Sequence, residues 1–224
     1  MYPLSDPAGI LHGAGPGSGF PSPATPSPPS GHPGGAPPVP VKIVVSGGFG
    51  VGKTTLIGSL SEIEPLTTEA AMTTAATGID RPGAAVDKTT TTVAMDFGRI
   101  TIDSSVILYM FGTPGQDRFG FMWKDLINGA LGGIVLVDTT RVEDSFVAMD
   151  YFEKHGLPFV VAVNEFEGQP RVSLDAVREA ATVDAAVPVL AVDARVREPV
   201  KAVVLGLLQL VLRNAQDPVA GVGG

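Results

Sequence analysis

From residue 41 onward, short runs of β-branched and other apolar residues alternate with segments in which apolar positions recur every three or four residues. Val41-Lys-Ile-Val-Val45 is the first run, and it ends in Ser-Gly-Gly, as a buried parallel strand entering a loop does. A helix is predicted to start within Gly-Lys-Thr-Thr, with Leu56, Ile57 and Leu60 at helical spacing and Pro65 closing it. The Thr- and Ala-rich stretch from Leu66 to about Thr92 reads as a long connection. Two strands follow, Thr92 to Phe97 and Ile100 to Phe111, with Gly98 and Arg99 between them as a tight hairpin turn. Beyond them the pattern predicts a strand at Gly133–Val137 and a helix at Val142–His155 begun by a capping box of Thr140 and Glu143. A strand at Phe159–Val163, a helix capped near Ser173 and a strand at Val187–Val192 come next. The last helix carries Val200, Val203, Val204, Leu207, Leu208 and Val211 on one face.

This alternation predicts an α/β fold: a mostly parallel six-stranded sheet with one antiparallel edge strand, helices on both faces, and ligands at the carboxyl ends of the strands. Composition divides the chain around it. Residues 1–40 are rich in Pro, Gly, Ser and Ala, contain no Lys or Arg and show no apolar period, so a disordered N-terminal segment is expected there, a solubilising leader ahead of the alternative of a Pro-rich docking arm for a partner. Residues 41–214 form the expected globular domain and 215–224 a flexible tail.

Charge and cysteine usage narrow the partners. The formal charge of -8 is spread along the chain without a basic stripe, which argues against nucleic acid. With no cysteine there are no disulfides or thiolate metal sites. The richest apolar run, Val203 to Leu212, is interrupted by Gly206 and Gln209 and is too short to span a bilayer. The chain start lacks the basic and apolar regions of a secretory signal, so a cytoplasmic location is expected.

Between the first strand and the first helix stands Gly47-Gly48-Phe49-Gly50-Val51-Gly52-Lys53-Thr54, which matches Gly-x-x-x-x-Gly-Lys-Thr in the strand–loop–helix context that the phosphate-binding loop requires. Its glycines let successive backbone N–H groups converge on phosphate oxygens, and the helix N-terminus adds its positive end. Lys53 is then the mobile charge for the β- and γ-phosphates. Thr54 is the expected Mg²⁺ ligand and Thr55 the contact to the α-phosphate.

Gly112-Thr-Pro-Gly115-Gln116-Asp-Arg118 after an apolar strand resembles the Asp-x-x-Gly-Gln segment that opens switch II in small GTPases. Thr92-Val-Ala-Met-Asp96-Phe97 resembles the end of switch I in Rab-like members. The resemblance covers Val41 to about Asn214. It implies GTP and GDP as ligands with Mg²⁺, Gly115 among the nucleotide-binding residues, and Thr92 as the threonine that senses Mg²⁺ and the γ-phosphate, with Thr89, Thr90 and Thr91 as adjacent alternatives. It also implies a catalytic pair, Gln116 to orient the hydrolytic water and Lys53 on the phosphates. Asn164-Glu165-Phe166-Glu167 and Asp193-Ala194-Arg195 stand where the family has Asn-Lys-x-Asp and Ser-Ala-Lys for guanine. Asn164, Glu167 and the Ala194 N–H are therefore the implied base contacts, with the stem of Arg195 in place of the missing lysine. Gly112 replaces the Walker B aspartate. Pro114-Gly115-Gln116 without that aspartate is similar to the bacterial polarity GTPases of gliding motility, and Thr113-Pro-Gly-Gln-Asp-Arg-Phe119 resembles more closely still the GTPases of actinobacterial conservon operons. That likeness implies a slow bacterial signalling switch working beside a roadblock-fold protein and a sensor-kinase-like membrane protein. The departures keep two other readings open, a non-hydrolysing nucleotide-dependent scaffold and a P-loop ATPase.

Overall fold

The structure is a computed structural model, and it describes residues 36–73, 90–115, 122–165 and 172–216. Among the described residues, seven strands form one sheet: β1 (Val39–Gly47), β2 (Leu66–Thr73), β3 (Thr90–Thr101), β4 (Val106–Gly112), β5 (Gly132–Val137), β6 (Phe159–Asn164) and β7 (Val189–Val192). The helices are α1 (Lys53–Leu60), α2 (Trp123–Ile127), α3 (Phe146–Lys154), α4 (Leu174–Ala180) and α5 (Arg197–Gln216), with a 3₁₀ turn at Val142–Ser145. The strand order is β2-β3-β4-β1-β5-β6-β7, and only the β2–β3 and β3–β4 pairings are antiparallel. Six strands therefore run one way and β3 the other.

The apolar runs explain why the sheet is covered on both faces. Ile43, Val45, Ile134, Leu136, Val160 and Ala162 point into one core with Leu56, Ile57 and Leu60 of α1 and Val200, Val203, Val204 and Leu207 of α5. Their alternating neighbours Val44, Val135, Val137, Val161 and Val163 point into a second core with Trp123, Met149, Phe152 and Val177. A strand buried on both faces has no polar position to alternate with, so it reads as a continuous hydrophobic run.

The mostly parallel α/β sheet of the P-loop NTPase type is thus present, with one antiparallel strand; the structure adds β2 outside it, so β3 lies second from the edge. The hairpin turn sits at residues 102–105, not at Gly98 and Arg99, which are inside β3. The Asp103 carboxylate makes the turn by accepting from Ser105 N at 2.7 Å, Ser105 Oγ at 2.6 Å and Val106 N at 3.1 Å. Gly98 answers a packing need instead, because a Cβ there would lie 2.5 Å from Ile57 Cγ2 of α1. The capping box is also absent: Thr140 Oγ1 donates to Asp138 Oδ1 at 2.7 Å, and the segment starts as the 3₁₀ turn before α3. Ser173 does cap α4, its hydroxyl accepting from Ala176 N at 3.2 Å.

Candidate functional site

β1 is the centre of the sheet, with β4 on one side and β5 on the other, and the loop leaving its carboxyl end is Gly48–Gly52. Chain connections diverge there to opposite sides of the sheet, which opens a crevice at the strand ends. Gly47 has φ +136°, and a Cβ on it would lie 2.3 Å from Leu136 O. Gly52, the residue before α1, has φ +105° and carries no side-chain cap. L-residues with side chains rarely hold such angles, so the wrap of this loop depends on glycine. The first N–H groups of α1 are left facing the crevice without a side-chain acceptor, an arrangement suited to an anion.

Lys53 is buried, and its Nζ donates to the carbonyls of Gly47 at 3.0 Å and Gly48 at 2.7 Å. Burial pushes its pKa down from 10.5 to about 8, against an upward pull from the Asp96 charge. Lys53, Thr54 and Thr55 line one pocket with Phe49, Gly50, Gly52, Asp96, Thr113 and Gly115. Gly115 presses on the loop so closely that a Cβ would lie 2.8 Å from Lys53 Nζ and 2.9 Å from Phe49 Cα. Thr54 Oγ1 donates to Asp96 Oδ2 at 2.6 Å. Hydroxyl and carboxylate oxygens held together are hard donors of the kind Mg²⁺ accepts beside phosphate oxygens.

A second pocket, sharing Gly50, Gly52 and Thr55 with the first, is lined by Asn164, Glu165, Asp193, Ala194 and Arg195. Buried Asn164, at the end of β6, uses both ends of its amide: Nδ2 donates to Val51 O at 2.9 Å and Oδ1 accepts from Ala194 N at 3.0 Å. The Ala194 N–H expected to face a guanine oxygen is therefore engaged by Asn164, because the β7 loop folds onto the end of β6. Arg195 is held by Asp193 through Nε to Oδ1 at 2.9 Å and Nη2 to Oδ2 at 2.8 Å. Those hydrogen bonds from Arg195 bring the Asp193 carboxyl down to about 2.

Sequence reasoning gave no role to Asp96 or Arg141. Arg141 Nη2 lies 3.2 Å from Asp138 Oδ2 and 3.4 Å from Phe49 O, so the loop after β5 leans on the glycine loop. Burial pushes the Asp138 carboxyl up, but hydrogen bonds from Thr140 and Arg141 outweigh it and leave the group below its ordinary value. A charged pair straight after an apolar strand was the available signal. Gly47 to Thr55, Gly115, Asn164 and Ala194 lie close together around the two pockets. Thr92 lies in β3 opposite Ala71, and nothing is described of its side chain. Gln116, Arg118 and Glu167 lie outside the described residues, as does Thr89.

A family described as conserved hypothetical ATP binding proteins matches residues 45–214. The chain belongs to this family. An uncharacterized protein of Methanocaldococcus jannaschii is 32% identical over 127 residues, covering 56% of this chain and 70% of that protein. Among solved structures, the G domain of the T. maritima FeoB iron transporter superposes with a TM-score of 0.54 at 15% identity, over 77% of this chain and 99% of that one. The FeoB G domain of Methanococcus jannaschii gives 0.52 at 14% identity, over 77% and 98%. An S. thermophilus NFeoB mutant bound to GDP gives 0.52 at 20% identity, over 75% and 61%. At these identities the likeness establishes the fold alone, the α/β fold that this member of the ATP-binding family shares with those G domains.

Proposed function

We propose that this protein binds GTP and GDP with Mg²⁺ and hydrolyses GTP slowly, as a molecular switch in bacterial signal transduction. One observation carries the reading: the glycine loop, Lys53, Thr54 and Thr55 line a pocket that continues, through Gly50, Gly52 and Thr55, into a second pocket bounded by Asn164 and Ala194. A phosphate chain in the first pocket directs its base into the second. Lys53 then leaves the Gly47 and Gly48 carbonyls for the β- and γ-phosphates. Thr54 and Thr92 are the metal ligands and Gln116 the residue that orients water. Glu167 reads the N1 and N2 donors of guanine, which adenine lacks. The cytoplasm is the expected location, and a roadblock-fold protein and a sensor-kinase-like membrane protein are the partners that the likeness to conservon GTPases proposes. No described helix is long and apolar enough to cross a membrane.

ATP is the second reading, favoured by the family description and by the Ala194 N–H being engaged by Asn164. Glu165, in the place of the lysine that covers guanine in small GTPases, favours it too.

The hydrolytic step is tested by Gln116→Leu in single-turnover assays with GTP. GTP affinity should be retained while the rate falls by on the order of 10²-fold, the scale on which misplacing a reactant acts. A rate equal to wild type would leave Gln116 as a turn residue and remove it from the mechanism.

A further inference from the structure

Gly112 ends β4 where small GTPases carry an acidic residue, and the space beside it is filled from the neighbouring strand. The antiparallel register pairs Phe97 with Phe111, so Asp96 stands one step further along β3, opposite Gly112. A Cβ on Gly112 would lie 3.1 Å from Asp96 Cβ and 3.3 Å from Asp96 Oδ2, a tighter approach than side chains ordinarily make. Gly112 is thus small where Asp96 is present. The Asp96 carboxylate reaches the hydroxyl of Thr54, the first-turn residue of α1, at 2.6 Å, and both line the pocket of the glycine loop. No other acidic side chain is among the described residues lining that pocket.

From this juxtaposition we infer that Asp96 is the carboxylate that positions Mg²⁺ in this protein, moved one strand across from the usual place, with Gly112 as the vacancy that admits it. A hydroxyl has one proton to donate and two lone pairs to offer. With its proton committed to Asp96, Thr54 turns its lone pairs toward the pocket, and the negative charge behind it strengthens it as a ligand. Asp96 also adds charge close to the cation, by way of a bound water, where the Thr54 and Thr92 hydroxyls and phosphates alone leave the divalent ion less firmly held. Asp96 is a positioning residue here, acting through Thr54 and water. The inference rests on the nucleotide reading above and adds to it the source of the metal's protein charge.

The test is the Mg²⁺ dependence of nucleotide release, followed with fluorescent GDP and fluorescent ADP in parallel. In wild type, Mg²⁺ should slow release of the preferred nucleotide relative to EDTA. Asp96→Ala should raise the Mg²⁺ concentration for half-maximal slowing by about 10- to 100-fold, the range for losing a group that orients a metal ligand. Release in EDTA should change little. Asp96→Asn keeps the shape without the charge and should shift the titration in the same direction, which covers the case in which the alanine variant does not fold. The double variant D96G/G112D, which returns the carboxylate to β4 and removes the Cβ that would stand 3.1 Å from it, leaving only the flexible end of Ile57 to give way, should bring the titration back toward wild type. Titrations of both single variants superimposable on wild type would overturn the assignment. So would equal acceleration in EDTA and in Mg²⁺, which would make Asp96 a structural partner of Thr54, or a wild type that holds nucleotide with no response to Mg²⁺. A wild type that retains neither nucleotide under any condition would instead overturn the nucleotide reading.

Discussion

Lys53 places a buried positive charge at the first turn of α1, where the helix dipole is already positive. Burial holds the group at a pKa of about 8, against an upward pull from the Asp96 charge. Between about pH 8 and 10.5 the unfolded chain keeps this proton while the folded protein sheds it, so the Lys53 contribution makes stability rise with pH in that window. Phosphate groups reverse the balance by favouring the charged form. Triphosphate binding at pH 9 should therefore take up most of one proton, and at pH 7 much less. Titration calorimetry in buffers of different ionisation enthalpy reads this directly. Buffer-independent heats at pH 9 would mean that Lys53 does not meet the phosphates. The glycines and Lys53 were legible in the sequence because their roles depend on backbone geometry within eight residues. Asp96 was not, because its partners Thr54 and Gly112 are distant in sequence and meet it only through the β3–β4 register.

At the scale of elements, the parallel strands declare themselves because burial on both faces leaves no polar position in them. β2 is hidden because Leu66–Thr73 is Thr- and Ala-rich without alternation, and its pairing with β3 supplies what its side chains do not announce. The hairpin turn was misread because Gly98 signals a turn in isolation, whereas here it makes room for α1. Asn164 shows how one side chain ties elements together: its amide joins the glycine loop to the loop after β7 from the end of β6. Asn164→Ala should leave the Val51 carbonyl and the Ala194 N–H without their partner and cost about 2–4 kcal/mol of stability, since an unsatisfied buried polar group costs about 1–3 kcal/mol. Urea unfolding monitored through Trp123 measures it. A loss under about 0.5 kcal/mol would mean that the two loops are not held by this amide.

Across the whole molecule, the sheet order makes β1 the meeting point of two halves. From the β4 side come Asp96, Gly112 and Gly115 around the phosphate end; from the β5 side come Asn164, Ala194 and Arg195 around the base end. A chain with a formal charge of -8 must assemble local positive potential to hold an anionic ligand, and it does so with the uncapped start of α1 and Lys53. The phosphate end carries the marks of the P-loop class, while the base end departs from guanine readers at Glu165 and Asp193, so base identity decides the account. The direct measurement is chromatography of the nucleotide released when purified protein is denatured, paired with competition of unlabelled GTP, GDP and ATP against labelled GTP in Mg²⁺. Release of GDP or GTP, with ATP competing at least tenfold more weakly than GTP, is the predicted result. Release of adenine nucleotide alone with ATP the stronger competitor, or no bound nucleotide and no labelled GTP retained, would contradict it.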